Sequence, residues 1–117
     1  MFTVTKQSKG YDSPGMFVIS AKANTPSGVT VTLTNTVQHN ALVALVFSRY
    51  GIYAFEVDCD ANKNFSNLKK NTLVGNTDAH TVAISSSKTE ITIKTGAWEK
   101  CVMLLTAQSG MIHYSFS

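Results

Sequence analysis

The chain reads as an all-β protein, an antiparallel β-sandwich of jelly-roll type with about eight to ten short strands. Three observations predict this. Val29–Val37, VTVTLTNTV, alternates strictly: Val29, Val31 and Leu33 take one face, and Thr30, Thr32 and Thr34 the other. That is the pattern of a strand with one buried and one wet face. Ala41–Val57 reads as two apolar runs folded back around Ser48-Arg49-Tyr50-Gly51, a hairpin signal. Turn clusters of Gly, Pro, Asn and Ser recur between short apolar runs at the spacing of sandwiches and jelly rolls, and no long helical pattern competes.

The elements follow in order. Phe2–Thr5 alternates and forms a first strand, closed by the turn cluster Lys9–Gly15. Met16–Lys22 is a second strand with Phe17, Ile19 and Ala21 on one face, and Asn24–Gly28 turns the chain into Val29–Val37. Gln38-His39-Asn40 leads into the central hairpin, whose second arm carries Tyr53, Phe55 and Val57 on one side. From Asp58 to about Ala79 the rhythm breaks. This stretch is rich in Asn, Asp and Lys, with Phe65–Lys70 as one helical turn and Thr72–Val74 as a short strand. So long a connection is uncommon in a compact domain and is often functional. Strands resume at His80–Ser85, Thr89–Lys94 and Trp98–Ala107. Gln108-Ser109-Gly110 then closes a last hairpin onto Met111–Phe116, with Ile112, Tyr114 and Phe116 inward and His113 outward.

The 117 residues suit one domain, 1–117, which buries roughly two-thirds of its unfolded surface. Charged residues are only 15%, against about 25% in ordinary soluble domains, and Thr, Ser and Asn fill the polar share. The net charge of +3 comes from nine lysines, one arginine and seven acids. The basic residues are scattered and Arg49 stands alone, so nucleic-acid binding is not expected. No apolar run approaches the roughly 20 residues of a membrane helix. The N-terminus MFTVTKQSKG lacks a charged segment followed by an apolar one, so folding without a signal peptide is expected. Cys59 and Cys101 lack metal-binding spacing, which leaves two free thiols or a bridge across the sandwich.

Two strands are unusual. Ala41–Phe47 and Cys101–Leu105 are apolar on both faces, where an antiparallel sandwich strand keeps its outer face polar. Either a loop or the first strand covers them, or they form a subunit interface through Leu42, Val43, Leu45, Val102 and Leu104.

No catalytic or cofactor motif is complete, and no enzyme activity is expected. A serine nucleophile lacks its elbow, and none of His39, His80 and His113 has a partner at metal-binding spacing; all three read as surface residues. Asp58, Asp60 and Asn62 resemble the first half of a Ca²⁺ loop, in which alternate oxygen side chains converge on a hard cation. Lys63 then stands where the loop wants Gly, and Lys69 where it wants the closing Glu, so no cofactor is required and Ca²⁺ is the one candidate. Tyr11, Tyr50 and Trp98 lie in or beside turns, and with neutral polar groups such as Asn62 and Asn64 they have the chemistry of a sugar site: an aromatic platform plus hydrogen-bonding groups. The competing reading has Trp98 capping the core edge and Tyr50 filling a hairpin position. Asn64-Phe65-Ser66 matches a glycosylation sequon, which is discounted without a signal peptide.

In texture, VTVTLTNTV, TEITIKTGAW and CVMLLTAQSGMIHYSFS resemble the small β-sandwich tip domains of bacteriophage tail fibres and related receptor-binding proteins. The resemblance implies a trimeric, virion-borne or extracellular-facing module that binds a host glycan or surface receptor. It carries over no site residues. The alternatives are a structural virion or assembly protein without a ligand, and a small Ca²⁺-dependent lectin-like module or hydrolase using Asp58, Asp60 and Asn62; a cytoplasmic location is the alternative to a virion.

Overall fold

The computed structural model describes residues 2–8, 15–35, 38–107 and 112–116, with side chains placed over 18–34 and 38–106. Ten strands occur there: β1 (Phe2–Ser8), β2 (Gly15–Lys22), β3 (Thr30–Asn35), β4 (Asn40–Phe47), β5 (Gly51–Cys59), β6 (Phe65–Gly75), β7 (Thr81–Ile84), β8 (Glu90–Lys94), β9 (Lys100–Ala107) and β10 (Ile112–Phe116). They form a six-stranded sheet in the order β1-β2-β9-β4-β5-β6 and a four-stranded sheet in the order β10-β3-β8-β7. Every pairing is antiparallel. The run β9-β4-β5-β6 has Greek-key order, a meander whose later strand returns beside the first. Among the described residues no helix is long and apolar enough to cross a membrane.

One core lies between the sheets. Ile19, Leu42, Ala44, Val46, Tyr53, Phe55, Val57, Met103 and Leu105 come from the larger sheet, and Val31, Leu33, Ile91 and Ile93 from the smaller. The alternation of each strand decides which residues these are, because successive side chains leave opposite faces. Each fully buried Leu, Ile or Phe contributes about 1.5–3 kcal/mol through its removal from water. The β4–β5 hairpin sits as expected, with Ser48 and Gly51 exchanging backbone hydrogen bonds across its turn. Cys59 and Cys101 are both buried and unbridged.

Three expectations are corrected. Phe65–Lys70 is not a helical turn, and 58–79 is not one long connection: β6 runs for 11 residues along β5. Phe65 is fully buried and fixes its start, while the lysines and asparagines belong to an exposed edge strand. Charge on an edge blocks further strand addition, which is why the stretch reads as polar. The last strand does not fold back on β9. Both flanks of β9 are taken, by β2 and β4, so β10 joins the edge of the other sheet beside β3. The turn 108–110 and the side chains of Ile112, His113, Tyr114 and Phe116 lie outside the described residues. Leu42 faces the core at 2% exposure, because it shares the inward parity of Ala44 and Val46.

Val43 (46% exposed), Phe47 and Val102 do lie on the outer face of the six-stranded sheet, with Leu45 and Leu104 half-buried between them. Leu45 pairs with Leu104, and Phe47 with Val102, so these side chains form one continuous strip. A wholly apolar depression of about 230 Å³ opens there, lined by Val43, Leu45, Leu104 and Thr106 together with Ala44 and Leu105.

Candidate functional site

The four connections β2–β3, β4–β5, β6–β7 and β8–β9 meet at one end of the sandwich, because each leaves a strand of the same polarity. Backbone hydrogen bonds knit them together. Ala23 N–H donates to the carbonyl of Glu99 (2.7 Å), Trp98 N–H to Thr25 (3.2 Å), and Asn76 N–H to Tyr50 (3.2 Å). Tyr50 and Trp98, the two aromatic candidates with described positions, both belong to this end. The Tyr50 hydroxyl donates to the carbonyl of Ala97, the residue before Trp98, at 3.4 Å. Gly96 makes that approach possible: a Cβ there would run into the Tyr50 ring and the Glu99 carboxylate.

Trp98 is 60% exposed, with φ +50°. A bulky residue in the left-handed region is a backbone outlier, costing about 1 kcal/mol. Trp98 therefore does not cap the core edge. It is held outward from a turn whose geometry is set by its neighbours. Arg49 is exposed in the β4–β5 turn at the same end, its guanidinium 4.9 Å from the centre of the Tyr50 ring. That stacking gives the arginine a defined place.

Beneath this surface lies a buried polar chain that sequence reading did not find. The Tyr53 hydroxyl and His80 Nδ1 are 2.9 Å apart, and His80 Nε2 and Glu99 Oε2 are 2.8 Å apart, with both partners of the second pair wholly buried. Glu99 Oε2 also accepts the Gly96 N–H at 2.7 Å. With a neutral imidazole, Tyr53 O–H donates to Nδ1 and Nε2–H donates to the carboxylate. Burial, then Cys101 and Glu99, push the Tyr53 hydroxyl well above the ordinary phenol range, so it stays a donor. Glu99 Oε1 has no hydrogen-bond partner among the described residues. Lys70 closes the assembly from β6. Its Nζ donates to the carbonyls of Thr77 (2.9 Å) and His80 (2.8 Å) and lies 4.7 Å from the Tyr53 ring centre. Burial lowers the pKa of this lysine.

His80 is thus a core residue, correcting its reading as a surface group; His39 is exposed as expected. The hydroxyl–imidazole–carboxylate order is that of a nucleophilic triad, yet Tyr53 is 0% exposed. Through Glu99 the chain is tied to the turn that carries Trp98. The signal that could have found it is parity. Glu99 continues the inward series Cys101, Met103 and Leu105, and His80 continues Val82 and Ile84.

The remaining candidates lie elsewhere. Asn62 and Asn64 are in the β5–β6 connection, at the far end of β5 from Tyr50, roughly 27 Å away at strand rise. Asp60 also lies there. Its Oδ1 accepts the N–H groups of Asn62 (2.8 Å) and Asn64 (3.0 Å), which hold its carboxyl below the usual range. Asp58, one residue before the end of β5, accepts from Asn67 Nδ2 at 3.3 Å. The Asp58–Asn64 segment is therefore a self-capped turn joining two paired strands. Tyr11 lies outside the described residues. A scan of family models, a search of curated proteins and a search of solved structures each returned no match to this chain.

Proposed function

We propose that the chain is a non-catalytic binding module that presents Trp98, with Tyr50 beside it, to a carbohydrate of a cell surface. The observation that carries this reading is Trp98 itself: an indole 60% exposed, at φ +50°, in a turn braced by the buried Tyr53–His80–Glu99 chain. Strain held at a position that buries little is a pointer to function rather than to folding. An indole face stacks on the C–H surface of a sugar ring, and the carbonyls and hydroxyls of the surrounding turns accept and donate at its rim.

The apolar strip Val43, Leu45, Phe47, Val102 and Leu104 supports self-association through the outer face of the six-stranded sheet, a trimer being the form that a fibre tip takes. That strip also favours a second reading, a virion assembly part without a ligand. Capture on immobilised glycans separates the two. The binding reading expects the wild-type chain to be retained by at least one glycan class and Trp98→Asn to be released. Equal retention of both proteins, or of neither, removes it.

A further inference from the structure

We infer that the Trp98 end is selective for acidic carbohydrate, a sugar bearing carboxylate or sulfate, with Arg49 as the partner of the anion. This rests on the binding reading above and names its ligand class. Three observations support it.

The first is how charge is distributed. Lys22, Arg49, Lys94 and Lys100 are exposed around the Trp98 end, at the ends of β2, β8 and β9 and in the β4–β5 turn. Among the described residues, the one exposed acid there is Asp78. Asp58, Asp60 and Glu90 belong to the opposite half, where Lys63 and Lys88 offset them, and Glu56 pairs with Lys69 on the sheet at 3.9 Å. Among the described residues, the positive excess thus gathers at the end that carries the exposed indole.

The second is a like-charge pair. Lys22 and Lys100 stand directly opposite each other across β2 and β9, both exposed. Like charges at facing positions destabilise a sheet. An anion set between them removes that repulsion, so the pair suits a liganded state better than a free one.

The third is Arg49. Phe47 pairs with Val102, so Arg49, two residues beyond Phe47, and Lys100, two before Val102, flank the same corner. Trp98 lies two residues further back along the chain. The Arg49 guanidinium lies over the Tyr50 ring, 4.9 Å from the ring centre. No carboxylate among the described residues pairs with it. A planar fork with open donors matches a carboxylate or sulfate in bidentate fashion, which an ammonium cannot do. A neutral sugar would use the indole and leave this cationic corner empty.

Trp98 is the sole tryptophan, so its emission reports the site directly. The full chain is titrated with a uronic-acid oligosaccharide, a sulfated one, a neutral one of equal length, and a single-stranded oligonucleotide, at low and at physiological salt. Expected is a shift in Trp98 emission with the acidic sugars at concentrations about tenfold below the neutral one, weakening with salt. Arg49→Gln is expected to weaken acidic binding about tenfold and leave neutral binding unchanged, and Arg49→Lys to fall between. Both substitutions are in an exposed turn, and an unchanged thermal midpoint confirms that each variant is folded. Neutral and acidic sugars bound alike, with Arg49→Gln indistinguishable from wild type, would overturn the acidic assignment and leave the Trp98 platform standing. An emission shift from no oligosaccharide would overturn both. An oligonucleotide bound as tightly as the acidic sugars would make the corner a general polyanion surface and overturn the assignment.

Discussion

Trp98 and Glu99 are neighbours with opposite roles. Trp98 takes a left-handed backbone and leaves most of its ring in solvent, while Glu99 is buried and ties the turn to His80, Gly96 and Ala23. Substitution should separate them. Trp98→Asn keeps a residue that tolerates positive φ, so stability in urea is expected to hold or rise by up to about 1 kcal/mol while glycan capture is lost. Glu99→Ala strands the His80 ring and the Gly96 N–H in the interior, and is expected to cost about 3 kcal/mol. A stability loss in the first variant, or none in the second, would contradict the division. The same buried cluster sets the alkaline limit. Burial, reinforced by the nearby Glu99 charge, pushes the Cys101 thiol up to about 12, and Tyr53 is raised as well. Both groups hold their proton more tightly folded than unfolded. Their contribution is therefore complete below the ordinary thiol value of about 8.5 and is lost as pH rises through that value toward 12. Urea midpoints measured across this range should fall, and Cys101→Val should delay the onset toward the ordinary tyrosine value of about 10.

At the scale of elements, β6 shows what alternation can and cannot reveal. β3, β4, β5 and β8 each carry apolar residues on every second position, and sequence places them almost to the residue. β6 carries lysine and asparagine on its exposed side and Lys70 on its inner side, so neither face looks apolar. Its anchor is Phe65, fully buried, whose N–H donates to the Lys88 carbonyl at 2.7 Å. Phe65→Ala is expected to cost about 3 kcal/mol in urea unfolding, with amide protection lost first along β6. A cost below about 1 kcal/mol would mean that β6 is held by its ladder alone. The candidate site divides in the same way. Tyr50 and Trp98 were legible because aromatic residues in turns stand out against Gly and Ser. His80 and Glu99 were not, because at a strand end only their parity with Val82 and Ile84, and with Cys101 and Met103, marks them as inward. Asn62 and Asn64 were grouped with them on composition, and only the strand polarity shows that they sit at the opposite end of β5.

For the whole molecule, two surfaces adjoin: a loop end with an indole and a cationic corner, and a sheet face whose apolar strip runs up to that corner through Phe47 and Val102. A standard-size interface buries about 800 Å² on each partner. Light scattering after gel filtration is expected to give a trimer. Phe47→Ser combined with Val102→Ser should give a monomer that still binds glycan, since neither residue is in the loop cluster and the charge of the corner is unchanged. A monomeric wild type would remove the interface reading and leave the binding site untouched. The most direct test of the site itself is a map of backbone amide shifts during titration with an acidic oligosaccharide. Perturbations are expected in Ala23–Thr25, Ser48–Gly51 and Thr95–Lys100. Perturbations confined to the Asp60–Asn64 turn, or to the outer face of β4 and β9, would contradict it.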